Sequence, residues 1–147
     1  MAFGPLAGVR ILDLTHVWAG PLAVRMLSDL GAEVVKIEGP LSRGPREFAD
    51  APIGGWIEGD PNGEPWNRNA AYVKLARNRR SVCIDLKQAQ GRATFLEMVK
   101  HADIVIENFS ARAMPALKLD YETLSTTNPK IIYLTMPGFG TTGQYRD

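Results

Sequence analysis

From Ile11 to Glu38 the chain runs Ile-Leu-Asp-Leu-Thr-His-Val-Trp-Ala-Gly-Pro-Leu-Ala-Val-Arg-Met-Leu-Ser-Asp-Leu-Gly-Ala-Glu-Val-Val-Lys-Ile-Glu. This succession of apolar run, polar turn, amphipathic stretch and second apolar run leaves few folds open. It reads as a buried strand, a tight turn, a helix and a second buried strand, a unit whose strands lie parallel and whose crossover is right-handed. Proline in the first turn and Gly31 just past the end punctuate a helix at Pro21–Leu30. The turn is polar and aromatic where many nucleotide-binding turns are rich in glycine. His16, Val17, Trp18 and Ala19 therefore fall at the carboxyl end of a strand and the amino end of a helix. Unpaired backbone N–H groups and the helix dipole favour an anionic ligand there.

The rest of the chain repeats the alternation. Strands are expected at Val9–Thr15, Glu33–Glu38, Ser81–Leu86, Asp103–Asn108 and Lys130–Met136. Gln90–Ala102 carries an apolar stripe of Ala93, Leu96 and Val99, flanked by Phe95, Met98 and Ala102, and Tyr121–Thr127 is a shorter helix with Asp120 as N-cap. Strands and helices alternating at this spacing predict an α/β fold, a Rossmann-like, doubly wound and mostly parallel sheet. With 147 residues the expectation is one domain over 1–147, broken by an irregular excursion at 39–69 that holds Trp56 and Trp66. The chain closes in loop chemistry, Gly138-Phe-Gly-Thr-Thr-Gly-Gln-Tyr-Arg-Asp147, and the expectation is that more polypeptide belongs after it.

Composition removes several function classes. A net charge of +1 gives no general case for nucleic-acid or membrane binding, and one cysteine excludes an internal disulfide framework. No combination of Cys and His has metal-ligand spacing, and no stretch has the apolar length of a membrane span. The expected setting is a reducing cytoplasm.

Several residues invite chemical readings. Lys74, Arg77, Arg79 and Arg80 form a basic cluster leading into the third strand. Arginine forks match phosphate oxygens, whereas cations at a helix end also simply answer its dipole. Asn108 and Phe109 close the fourth strand, where Asn can bond a ligand amide or adenine edge and Phe can stack on a ring; a cap and a core residue are the plainer reading. His16 reads as a hydrogen-bonded turn residue, and His101 as a helix-end residue. Asp13, inside an apolar strand, reads as an acceptor for neighbouring backbone amides, because a buried carboxylate is costly unless paired. Cys83 reads as a small core residue. No acid–base pair or activated nucleophile emerges, so no catalytic residue is assigned within the chain.

Taken together, Pro5–Pro21, Leu30–Glu38, Asn78–Lys87, Ala102–Phe109, Leu119–Leu124, Asn128–Tyr133 and Gly138–Gly143 resemble the family III coenzyme A transferases, a group that includes formyl-CoA and carnitine CoA transferases and the α-methylacyl-CoA racemases. The resemblance runs along essentially the whole chain and rests on the order and spacing of these segments. It implies the amino-terminal portion of a CoA-binding large domain in an interlocked homodimer. Substrates would be an acyl-CoA and a carboxylic acid, with coenzyme A acting as substrate and no separate cofactor or metal.

Carried over by position, Trp18 and Ala19 would face the pantetheine and thioester, and His16 and Val17 would lie beside the pocket. Ala76, Arg77, Asn78 and Arg79 would meet the adenosine diphosphate, and Asn108, Phe109 and Ser110 would line the pocket. Where the family often has Arg after its Lys-Ile-Glu strand this chain has Gly39, with Arg43 or Arg46 as substitutes. Ala116 replaces a further arginine, with Arg112 nearer the strand. The resemblance also implies an aspartyl nucleophile that attacks the thioester, expected beyond this chain and not at Asp147. Racemase chemistry on the same scaffold and a non-catalytic nucleotide-binding fragment are the alternatives. A dehydrogenase module is disfavoured, since the first turn lacks Gly-x-Gly-x-x-Gly.

Overall fold

The computed structural model describes residues 3–40, 55–61, 63 and 65–146. Five strands form one parallel sheet: β1 (Arg10–Asp13), β2 (Glu33–Glu38), β3 (Arg79–Cys83), β4 (Ile104–Glu107) and β5 (Ile132–Thr135), in the order β3-β2-β1-β4-β5. The order reverses at β1, which pairs with β2 on one side and β4 on the other. An α/β, doubly wound sheet is therefore present.

Six α-helices are described: α1 (Ala19–Asp29), α2 (Pro65–Arg68), α3 (Ala70–Leu75), α4 (Ala89–Val99), α5 (Ala113–Ala116) and α6 (Tyr121–Thr127). β2 and α6 have the bounds read from the sequence, and Asp120 caps α6 by accepting the Thr123 amide at 3.0 Å. Two helices arise within or just after the predicted excursion. Asn69 opens α3 by accepting the Tyr72 amide at 2.8 Å, and its backbone bridges to Trp56.

The sheet separates two cores. On one face Leu12, Val105 and Leu14 pack with Phe95 and Val99 of α4 and Leu124 of α6. On the other, Ile11, Val34 and Ile106 pack under Val24 of α1. The buried ridge of α4 is Phe95 and Val99, one helical turn apart, while Ala93 faces solvent. The stripe expected along Ala93, Leu96 and Val99 is thus rotated so that the phenyl ring, the largest apolar surface on the helix, meets the sheet. β3 begins two residues earlier than expected and lies at the edge of the sheet, so Cys83 is exposed and not a core residue.

Of the described glycines imposed by close approach, two bound α1. A Cβ on Gly20 would lie 2.5 Å from the Thr15 side chain, so α1 can seat on the end of β1 only without one. Gly31, at φ +104°, ends α1 with its Cα facing the Phe3 carbonyl, 2.7 Å from where a Cβ would be.

Candidate functional site

The reversal of strand order opens the crevice where open α/β sheets receive ligands, at the carboxyl ends of β1 and β4. β1 leads into the turn His16–Trp18, and α1 starts at Ala19. β4 leads into Asn108, Phe109 and Ser110. The structure brings these two groups together. The Asn108 side chain accepts the His16 amide at 2.7 Å and donates to the His16 carbonyl at 2.9 Å. The His16 and Phe109 rings lie 5.4 Å apart.

The turn presents an open surface. Val17 has φ +66° and is 87 % exposed, although a β-branched side chain strongly disfavours that backbone region. Trp18 is 46 % exposed at the N-cap of α1, and its side chain makes no capping bond. The Leu22 amide is the first to be taken within the helix, by the Trp18 carbonyl at 2.9 Å. The amides of Ala19 and Gly20 precede it at the positive end of the dipole, and Pro21 has none to offer.

A buried charge network lies behind the turn. Asp13 Oδ1 accepts from the Thr15 amide at 2.8 Å and its hydroxyl at 2.6 Å, and Oδ2 accepts from Arg79 at 2.5 Å. Lys36 approaches Asp13 at 3.6 Å and donates to the Thr15 carbonyl. The reading of Asp13 as an acceptor for a neighbouring amide agrees with this geometry; its two cationic partners come from other strands. Glu38, also buried, accepts from Tyr72 at 3.2 Å and from Ser81. Burial lowers the pKa of Lys36 against the opposing pull of Asp13. Burial likewise pushes the His16 imidazole below its ordinary value of 6.5, Lys36 adding to the effect while Asp13 and Glu38 oppose it. Burial thus favours the neutral imidazole, which can accept as well as donate.

The expected basic group is placed differently. Ala76, Arg77 and Asn78 precede β3, at the amino edge of the sheet, the opposite edge from His16–Ala19 and Asn108–Ser110. Arg77 and Asn78 grip Asp29 near the end of α1, at 2.5 and 2.6 Å. Asn78 takes φ +59°, which asparagine tolerates. The Arg79 side chain, 2 % exposed, points inward to Asp13 and to the carbonyls of Pro21 and Leu75. Arg80 is exposed and loosely paired with Glu33 at 3.9 Å. Arg43, Arg46 and Asp147 lie outside the described residues. Among the described residues no cluster of His, Cys, Asp and Glu could hold a metal ion, and no helix is long and apolar enough to cross a membrane.

Sequence reasoning passed over Glu107, a buried carboxylate that accepts the Phe109 amide at 2.7 Å and the Tyr133 hydroxyl at 2.8 Å. A glutamate ending an apolar Ile-Val-Ile run was the available signal.

Comparison with known proteins fits this geometry. The profile of CoA-transferase family III matches residues 6–147. A succinate–glutarate CoA-transferase of Agrobacterium fabrum is 40% identical over 97% of this chain and 34% of its own length. The alpha subunit of a succinyl-CoA–L-malate CoA-transferase of Chloroflexus aurantiacus is 41% identical over 97% of this chain and 31% of its own. The crystal structure of a CAIB/BAIF family protein from Brucella suis superposes with a TM-score of 0.79 at 37% identity, over 97% of this chain and 36% of that one. The chain thus spans about a third of the length of the relatives it matches.

Proposed function

Because the chain belongs to CoA-transferase family III, we propose that it forms the CoA-binding part of an enzyme that moves CoA from an acyl-CoA to a carboxylic acid. The observation carrying this reading is the assembly of His16–Ala19 with Asn108–Ser110 at the crevice where the strand order reverses. In this proposal the exposed indole of Trp18 and the ring of Phe109 flank the pantetheine arm, and the open amides at the start of α1 face the thioester oxygen. Neutral His16 adds a polar edge without adding charge.

The phosphates fall to the basic residues around the start of β3. Arg77 meets Asp29 through two guanidinium nitrogens at a partly exposed site, so in this proposal a diphosphate takes the place of the carboxylate. Arg80 and Lys74, on either side of Arg77 in the sequence, are exposed. Arg79 is held by a fully buried partner, so its role is to support the sheet from within. A ligand reaching both groups must extend along the strands, about 16 Å over five residues, and an extended CoA has the length to do so. The aspartyl nucleophile is assigned to polypeptide corresponding to the remainder of the longer relatives, and an interlocked homodimer in the cytoplasm is part of the same proposal.

Calorimetric titration of this chain, and of the longer protein containing it, with CoA and separately with NAD tests the reading. Saturable CoA binding weakened by Trp18→Ala and by Arg77→Ala, with no NAD binding, is expected. Binding of NAD in preference to CoA would overturn it.

A further inference from the structure

We infer that Asn108 is a positioning residue that clasps the ligand-facing turn, acting on any bound molecule through His16 and not by touching it. The backbone ladder between β1 and β4 ends where the Leu14 amide donates to the Ile106 carbonyl at 2.9 Å. Beyond that point the two chains separate to form the crevice. The Asn108 side chain then takes over as a surrogate strand. Its carbonyl accepts the His16 N–H at 2.7 Å and its amide donates to the His16 C=O at 2.9 Å, the donor–acceptor pattern of one further rung.

Both hydrogen-bonding ends of the carboxamide are therefore committed to residue 16, across 92 positions of sequence. Val17, immediately after, holds an unfavourable positive φ with its side chain almost entirely in solvent. Packing of the Val17 side chain cannot maintain that conformation. The restraint comes from the residues before it: Thr15, bonded to Asp13, and His16, bonded to Asn108. A carboxamide is the one side chain of this length that offers a donor and an acceptor side by side without charge.

Substitution by the isosteric acid separates this role from a direct ligand contact. In Asn108→Asp the protonated acid reproduces both bonds, but once ionised its second oxygen faces the His16 carbonyl oxygen, and that repulsion swings the carboxylate away from residue 16 and opens the bond to the His16 amide as well. Protonation restores a donor and closes the clasp. Charged and titratable groups around the turn are His16 itself, Lys36, Asp13, Arg79 and Glu38 behind it, and Glu107 beside Asn108 in the chain. They are common to the parent chain, whose own pH profile subtracts their contribution.

The test is amide hydrogen exchange at His16, read by NMR as a protection factor, with CoA titration as a second arm that rests on the proposed function. In the parent chain the His16 amide is protected, and Asn108→Ala lowers that protection by about tenfold, the factor one hydrogen bond of ordinary net strength accounts for. Asn108→Asp shows parent-like protection at acidic pH and loses it as the introduced carboxyl ionises; it also keeps the proposal testable should the alanine variant fail to fold. An unprotected His16 amide in the parent, or protection in the Asp variant that follows the parent profile at every pH, overturns the clasp. If CoA binds the parent and its affinity in the Asp variant tracks His16 protection across pH, the positioning role stands; CoA affinity indifferent to that protection overturns it. If CoA does not bind the parent at all, the proposed function fails, while exchange still decides whether the clasp exists.

Discussion

Asp13 and Glu107 end neighbouring strands, are both buried, and each accepts the amide two residues ahead, yet the protein compensates them differently. Asp13 lies on the α1 face between Arg79 and Lys36, and through Thr15 it holds the first turn of the crevice. Glu107 lies on the opposite face and is met by a phenol and a backbone amide, holding Phe109 on the other wall. The same local device thus fixes both sides of the candidate site, but only the α1 side is tied to the sheet by opposite charges. A carboxylate flanked by cations resists ionic rearrangement, because removing it strands two charges in low dielectric. One held by neutral donors loses hydrogen bonds only.

The contrast can be broken most sharply at Asp13. Asp13→Ala leaves Arg79 and Lys36 buried without their counterion and is expected to cost about 3–5 kcal/mol, read as a lowered midpoint in urea denaturation. Asp13→Asn, which keeps an acceptor for Thr15, is expected to recover only part of that loss. On the other wall, Glu107→Gln is expected to cost about 1–3 kcal/mol, since one donor there is left poorly met. The Tyr133 phenol, raised above its ordinary value by burial and then by Glu107, should titrate at lower pH in that variant by ultraviolet absorbance. A larger loss at Glu107 than at Asp13 would refute the comparison.

The smallest effect belongs to His16. Its native pKa lies below 6.5, so in acid the unfolded chain takes up a proton that the native chain refuses. Stability should fall as pH drops through about 6.5 and level once the native imidazole also protonates. Denaturation midpoints at several pH values, with His16→Gln removing the dependence, check this.

Much of the scaffold was legible. α6 carries its own cap, and β2 its own apolar run, so their bounds needed no tertiary information. β3 was misplaced because Arg79-Arg80 does not look like a strand; it becomes one by pairing with β2 at the sheet edge. α2 was hidden in the segment read as irregular, and α3 begins directly after it, at the cap that Asn69 supplies. At the candidate site, the placement of His16–Ala19 and Asn108–Phe109 on one edge followed from strand ends alone. The bond between Asn108 and His16 did not, nor did the turn of Arg79 away from solvent toward Asp13.

Sequence by itself determined a parallel α/β sheet, its helix caps and the polar turn at the end of its first strand, because those signals are short-range and periodic. Tertiary structure decided which charges pair. Arg79 meets Asp13 across 66 residues, and no spacing rule distinguishes that partner from Asp29, which two neighbouring side chains take instead. The choice is made only when the sheet order sets β3, β2 and β1 side by side and desolvation forces each buried charge to find the nearest opposite one.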